Sequence, residues 1–160
     1  MYVPFETLPK HSRIWIYQSN RKLSDDEVNE ISDATKYFIE DWSAHGQGLE
    51  ASFLIEYNRF IIIAVNQDVQ TTTGCSIDAS VKFIQDLEAK YQIDLLDKMN
   101  VTYKQGDFIA HKTLIEFKQM AKAKSVSANT IVFNNLVNTI DEFEEFWEVP
   151  ASESWHNRFF

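Results

Sequence analysis

The only cysteine of the chain, Cys75, lies in a stretch rich in hydroxyl side chains, TTTGCSIDAS over residues 71–80. A polar loop passes into a helical pattern there, which predicts that the thiol lies at a helix N-terminus. A cysteine in that position can act as a nucleophile when a cation or a base lies beside it. The Ser76 hydroxyl and backbone N–H groups would then supply oxyanion donors. The pattern therefore indicates thiol-dependent catalysis or redox chemistry as one alternative.

The same stretch also has a purely structural interpretation. Thr73 and Ser76 are suited to capping a helix, because hydroxyl side chains accept hydrogen bonds from the free N–H groups at a helix start. Cysteine is also among the residue types most often buried as a small hydrophobe. Catalysis would need a cationic or basic partner for Cys75. The side chains that could provide it are Arg21, His11, His45 and His111.

A second polar stretch, QSNRK at residues 18–22, also separates a predicted strand from a predicted helix. If both loops leave the same end of one sheet, their side chains converge at two helix N-termini, which favour anions. In the alternative interpretation, Arg21 and Lys22 balance the nearby acids Asp25 and Asp26. The residues predicted to bind a small phosphate- or carboxylate-bearing ligand are Asn20, Arg21, Lys22, Thr73 and Ser76.

Other kinds of active centre lack their sequence signatures. The four histidines are scattered, without HxH, HExxH or Cys/His spacing, so we expect no metal site. The chain has neither the GxSxG elbow of a serine hydrolase nor a glycine-rich phosphate loop. We therefore expect no cofactor.

The acidic composition restricts the classes of partner. A formal net charge of −9 and a pI of about 4.8 predict repulsion from phosphate backbones and anionic lipids, so we expect neither a nucleic-acid nor a membrane partner. A single cysteine fits a reducing compartment. No charged-then-apolar leader follows Met1, and the longest apolar run, FIIIAV at residues 60–65, is too short to span a bilayer. These features predict a cytoplasmic protein.

The elements that would position these residues can be followed along the chain. SRIWIYQS has the composition of a strand, and LSDDEV predicts a helix capped by Ser24 with Glu27 as the reciprocal partner. That helix is expected to end at His45-Gly46. Its predicted apolar face consists of Val28, Ile31, Phe38 and Trp42.

A predicted hairpin with its turn at Asn58, a helix over residues 76–91 and a second hairpin with its turn at Gln105-Gly106 follow. The resulting order of strand, helix, strand, strand, helix and strand predicts an α+β fold with a ferredoxin-like βαββαβ core and an antiparallel sheet. The first and third strands are expected to be central, adjacent and parallel. Because FIIIAV is apolar at odd and even positions alike, both faces of the sheet should be covered.

The remaining residues predict a C-terminal α/β elaboration that covers the second face of the sheet. We expect one domain over residues 1–160, with the core at about 12–112 and the elaboration at about 113–160. The aromatic segment at residues 147–160 would be costly to expose, so it is expected to dock on this chain, or else on a second subunit or a partner.

Four stretches of the sequence look familiar: MYVPFETLPKHSRIWIYQSNR, GCSIDASVKFIQDLE, DLLDKMNVTYKQG and WEVPASESWH. Over its whole length the chain resembles an uncharacterised family of small bacterial cytosolic proteins that often carry the label "ABC transporter ATPase". The resemblance implies no catalytic residue, substrate or cofactor. The label itself does not fit, because the chain contains neither GxxxxGK[ST] nor an LSGGQ-like signature.

The sequence therefore predicts a small soluble bacterial binding or interaction protein rather than an enzyme. Its ligand would be a small anion at the ends of strands 1 and 3, and a homodimer or a protein partner is a further alternative. The competing hypothesis is a thiol-dependent enzyme or redox protein that uses Cys75.

Overall fold

The computed structural model describes every residue from Met1 to Phe160 and contains four α-helices and nine β-strands. In chain order they are β1 (Arg13–Gln18), α1 (Asp25–Asp41), β2 (Ser43–Ala44), β3 (Gln47–Gly48), β4 (Ala51–Glu56), β5 (Phe60–Val65), α2 (Gly74–Tyr91), β6 (Asn100–Gln105), β7 (Phe108–Thr113), α3 (Leu114–Lys122), β8 (Ile131–Phe133), α4 (Ile140–Phe146) and β9 (Glu148–Pro150). Three short 3-10 helices cover Phe5–Thr7, Ala151–Glu153 and Trp155–Phe159. The chain is therefore of mixed α+β class with antiparallel sheets.

Two compact units divide the chain. The first consists of Met1–Leu96 and Asn138–Ile140, and the second of Asp97–Val137 and Asp141–Phe160. This division differs from the predicted one, because the β6–β7 hairpin lies in the second unit and pairs in its sheet. The predicted fourth strand of the core is therefore absent from the first sheet, and a ferredoxin-like core is not confirmed. The assignment of residues 1–160 to one domain stays a prediction.

The sheet of the first unit has the order β1-β5-β4, with β5 in the centre. Every residue of β5 is buried, which confirms the expectation from FIIIAV that both faces are covered. Ile61 and Ile63 of this strand share one hydrophobic cluster with Ile31 of α1 and Ile84 of α2. The two helices therefore pack on the same face of the sheet.

The predicted parallel pairing of the first and third strands is wrong, because β1 and β5 are antiparallel. The cause is the connectivity. The tight turn between β4 and β5 reverses the chain, whereas a helical crossover such as α1 returns it in the same direction. The end of β1 at Gln18 consequently pairs with the start of β5 at Phe60. The loops that follow these two strands leave opposite ends of the sheet.

Helix α1 begins as predicted, but it ends earlier. Ser24 and Glu27 form the reciprocal capping box. At the other end Trp42 adopts an extended backbone conformation, and its indole is buried in the core. His45-Gly46, the predicted helix end, instead forms the turn of the β2–β3 hairpin, where both residues have a positive φ. The helix therefore ends at Asp41, and the chain continues into the β2–β3 hairpin.

The second unit is built on the sheet β7-β6-β8-β9. Phe117 of α3 is fully buried in the core of this unit, and its ring contacts the rings of Tyr103, Phe159 and Phe160. The C-terminal segment docks on this chain, since β9 pairs with β8, and Trp155 and Phe159 pack against the core cluster of the unit. The aromatic tail is thus part of the core of the second unit.

Replacement of Phe117 by alanine should lower the free energy of unfolding by about 3–5 kcal/mol, because it removes a buried ring and leaves a cavity. Phe108→Ala is the matched control, since that ring is 77% exposed and its loss should cost less than about 0.5 kcal/mol. Urea unfolding measures both. Equal losses for the two variants would contradict this description of the core.

Candidate functional site

Arg21, the main predicted anion ligand, is engaged by the protein itself. Its guanidinium donates hydrogen bonds of 2.8 and 2.7 Å to the two carboxylate oxygens of Glu27, and Nη2 donates a third, of 2.8 Å, to the backbone oxygen of Tyr91. The Arg21 guanidinium and the backbone N–H of Ser24 lower the pKa of Glu27 to about 2. Arg21 therefore joins the start of α1 to the end of α2.

Asn20 and Lys22 flank Arg21 without forming a site with it. The backbone N–H of Asp94 donates a hydrogen bond of 3.0 Å to Asn20 Oδ1, so this side chain holds the segment that follows α2. Lys22 is exposed. The first of the two predicted loops thus stabilises the region around the C-terminus of α2.

Thr73 and Ser76 form a capping box at the N-terminus of α2. The backbone N–H of Ser76 donates to Thr73 Oγ1 at 3.2 Å, and the N–H of Thr73 donates to Ser76 Oγ at 2.7 Å. The Ser76 hydroxyl itself donates to the backbone oxygen of Thr73 at 2.9 Å. The simpler interpretation of TTTGCSIDAS as a helix cap is therefore confirmed.

The two halves of the predicted anion site lie at opposite ends of α2. Asn20 and Arg21 bind the chain at and beyond Tyr91, whereas Thr73 and Ser76 cap the first turn. The helix has 18 residues, which corresponds to a length of about 27 Å. The predicted convergence is wrong, because the antiparallel pairing of β1 with β5 sends the two loops in opposite directions.

Cys75 is exposed at the start of α2, and its thiol forms no hydrogen bond with any of its predicted partners. Arg21 lies at the far end of the helix, and His11 contacts Asp68 at 2.6 Å. His45 occupies the β2–β3 turn, and His111 belongs to the second unit. The thiol instead lines a groove between α1 and α2.

This groove is a concave surface of the first unit, with a volume of about 600 Å³. Phe38 and Phe83 stack at its wall, with ring centroids 4.7 Å apart and planes at 8°, and Phe38 also contacts Trp42 at 5.3 Å. Tyr37 is 77% exposed at the rim. The lining residues are Ala34, Tyr37, Phe38, Asp41, Trp42, Ser43, Cys75, Ser76, Ala79 and Phe83.

The inner end of the groove is held by Trp42. Its indole Nε1–H donates a hydrogen bond of 2.8 Å to the backbone oxygen of Ser76, so the end of α1 is tied to the start of α2. The ring is only 4% exposed. A ligand in the groove would therefore meet a fixed aromatic floor and would not need to order that side chain on binding.

The sequence does not predict the groove, although it identifies some of the residues that line it. Phe38 and Trp42 belong to the predicted apolar face of α1, and Cys75 and Ser76 are among the predicted site residues on α2. What was missing is the packing of the two helices, which leaves the small side chains Ala34 and Ala79 opposite the rings. Apolar residues recur at the same helical spacing whether a helix face packs tightly or leaves a groove, so the sequence pattern does not distinguish the two cases.

The second unit contains a serine–histidine contact that has the residue types of a catalytic pair. Ser154 Oγ lies 2.7 Å from His156 Nδ1. Burial, followed by the charge of Arg158, lowers the pKa of His156 to about 4, so the ring is neutral at pH 7. It stacks on Trp155 with centroids 3.8 Å apart. The contact is best explained as packing of the C-terminal segment.

Searches of protein-family models, of curated proteins and of solved structures find no match to this chain. None of the helices combines the length and the apolar character that crossing a bilayer requires. No group of three or more His, Cys, Asp and Glu side chains is arranged to hold a metal ion. The class defined by the fold and the groove is a mixed α+β protein with an aromatic cleft between two helices.

Replacement of Glu27 by glutamine should lower the free energy of unfolding by about 1 kcal/mol at pH 7, because it removes a partly exposed ion pair while glutamine can still complete the capping box. The folded-state pKa of Glu27 is lowered to about 2, so its contribution to stability is present above the ordinary glutamate pKa of 4.5 and is lost as the pH falls towards about 2. The difference between wild type and Glu27→Gln should shrink over that range.

Asp26→Asn is the control for this measurement, since Asp26 lies in the same first turn without an arginine partner. Both stabilities can be measured by urea unfolding at a series of pH values. A Glu27→Gln difference that does not change with pH, or that equals the Asp26→Asn difference, would show that the ion pair with Arg21 contributes nothing.

Proposed function

We propose that this chain is a non-enzymatic binding protein whose ligand occupies the groove between α1 and α2. The observation that carries the proposal is the cleft there, whose wall contains the stacked rings of Phe38 and Phe83 and whose rim carries the exposed ring of Tyr37. Ligand pockets typically measure about 300–1,000 Å³ and combine apolar walls with a few polar groups. The groove has this size, and its polar groups are those of Asp41, Ser43, Ser76 and Cys75.

A small anionic ligand is not what this groove favours. Its lining includes no lysine, arginine or histidine, and the capping box at the start of α2 already engages the backbone N–H groups of Thr73 and Ser76. The ligand proposed here is an apolar, aromatic small molecule that lies against Tyr37 and Phe38. The homodimer, the cytoplasmic location and the bacterial family remain predictions from the sequence.

The thiol-dependent alternative has one supporting observation, which is the exposure of Cys75 in the wall of the groove. Nucleophilic catalysis by a thiol needs an adjacent base or cation. No cationic side chain and no histidine lines the groove. Binding is therefore the function that the geometry supports better.

Binding in the groove can be detected with 2-(1-naphthyl)ethanol as a neutral aromatic probe. Titration should shift the indole N–H resonance of Trp42 in two-dimensional NMR spectra, while the indoles of Trp147 and Trp155 in the second unit should not move. Ala79→Leu should raise the dissociation constant of the probe about tenfold or more, because the larger side chain occupies the groove.

Ala89→Leu is the matched control, since Ala89 is exposed on the same helix and does not line the groove. It should leave the dissociation constant of the probe unchanged. If Trp42 does not respond to the probe, or if the two leucine variants bind it equally, the groove is not the binding site.

Cys75 should react with 5,5′-dithiobis(2-nitrobenzoate) in the native protein, because it is an exposed free thiol. The bound naphthyl probe should slow this reaction, since the thiol lines the same groove. Cys75→Ser should retain the affinity for the probe. A thiol that reacts only after denaturation would contradict both the exposure of Cys75 and the thiol-dependent alternative.

A further inference from the structure

We infer that the groove selects ligands that join an apolar aromatic body to a positively charged nitrogen. This inference rests on the proposed function and specifies the class of ligand. Among the residues that line the groove, Asp41 is the only aspartate, glutamate, lysine, arginine or histidine. Its carboxylate is exposed and takes part in no hydrogen bond or ion pair within the chain.

The position of Asp41 on α1 places its charge beside an aromatic face. Asp41 follows Tyr37 by four residues and Phe38 by three, and residues at these spacings are neighbours on a helix surface. A cation that neutralises the carboxylate can therefore also lie over the exposed ring of Tyr37. Aromatic faces attract cations within about 6 Å of the ring centroid.

The protein's own cations leave these rings free. Lys36, the residue before Tyr37, lies with its Nζ 4.9 Å from the centroid of the Tyr2 ring instead. Arg13 lies over Trp15 at 5.2 Å, and Lys90 lies over Tyr91 at 5.3 Å. No cation of the chain covers Tyr37, Phe38, Trp42 or Phe83. Both elements of a cation site, an aromatic face and a carboxylate, are thus unoccupied by internal partners.

The charge of Asp41 also opposes the local preference of its helix. The last turn of α1 contains Glu40 and Asp41 and no basic residue, although the C-terminal end of a helix favours cations. The dipole of α2, whose N-terminus adjoins this end of α1, partly offsets that of α1. The full negative charge of the unpaired carboxylate therefore favours a cationic ligand. A bound cation also reduces the repulsion between this carboxylate and the terminal carbonyl groups of α1.

Three probes with the same ring system test the inference: 2-(1-naphthyl)ethylammonium, 2-(1-naphthyl)ethanol and 1-naphthylacetate. NMR titration of the Trp42 indole at low ionic strength gives their dissociation constants. The ammonium probe should bind about five- to tenfold more tightly than the alcohol, as expected for a partly exposed cation–π and ion-pair contact. The carboxylate probe should bind more weakly than the alcohol.

Asp41→Asn should abolish the advantage of the ammonium probe, so that the ammonium and the alcohol bind this variant with similar dissociation constants. This variant is expected to unfold at the same temperature as wild type or higher, because it removes an acid from a helix C-terminus. Asp33→Asn is the matched control, since Asp33 is an exposed acid of the same helix outside the groove. It should preserve most of the ammonium advantage.

The outcomes separate this inference from the proposed function. If the alcohol binds but the ammonium probe gains nothing, or if Asp41→Asn and Asp33→Asn reduce the gain equally, the groove is a binding site without cation selectivity and the inference is overturned. If none of the three probes shifts the Trp42 indole, the proposed function fails and the inference fails with it.

Discussion

The hydrogen bond from the Trp42 indole to the backbone oxygen of Ser76 is the contact on which the first unit most depends. It joins two residues that are 34 positions apart, and both groups are buried. A buried N–H or carbonyl group without a partner costs about 1–3 kcal/mol, so each group strongly favours the arrangement that pairs it with the other. This contact lies just after the end of α1, ties it to the first turn of α2 and holds in place a ring that lines the groove.

The opposite ends of these helices are held together by charge rather than by an apolar ring. Arg21 spans the two helices, with Glu27 on one side and the backbone oxygen of Tyr91 on the other. Glu27 is also the reciprocal partner of Ser24, so one carboxylate completes the cap of α1 and anchors the arginine. Two dissimilar contacts thus fix α1 against α2 at both ends, and the groove between them is preformed.

Local elements of this protein can be predicted from its sequence, whereas the way in which α1 and α2 pack against each other cannot. The capping boxes, the hairpins and the burial of FIIIAV follow from spacing and composition, which act over a few residues. The direction of β5 relative to β1 could also have been deduced, because a hairpin reverses the chain and a helical crossover does not. The expectation that these two strands are parallel places Arg21 and Thr73 at the same end of the sheet, and the predicted anion site is therefore wrong as a whole.

The groove itself arises from a mismatch in side-chain size that no periodicity reveals. α1 contributes Tyr37 and Phe38 to the groove, whereas α2 contributes the small side chains of Cys75 and Ala79 beside Phe83, and the ring of Tyr37 stays exposed. Larger aliphatic residues on α2 would bury these rings and stabilise the unit by roughly 25 cal/mol for each Å² of apolar surface removed from water. In the same region Asp41 has no ion-pair partner, and its carboxylate lies at the C-terminal end of α1, where a negative charge is unfavourable. Two departures from the most stable choice, at adjoining positions, are the pattern expected where a surface is shaped for a ligand rather than for the fold.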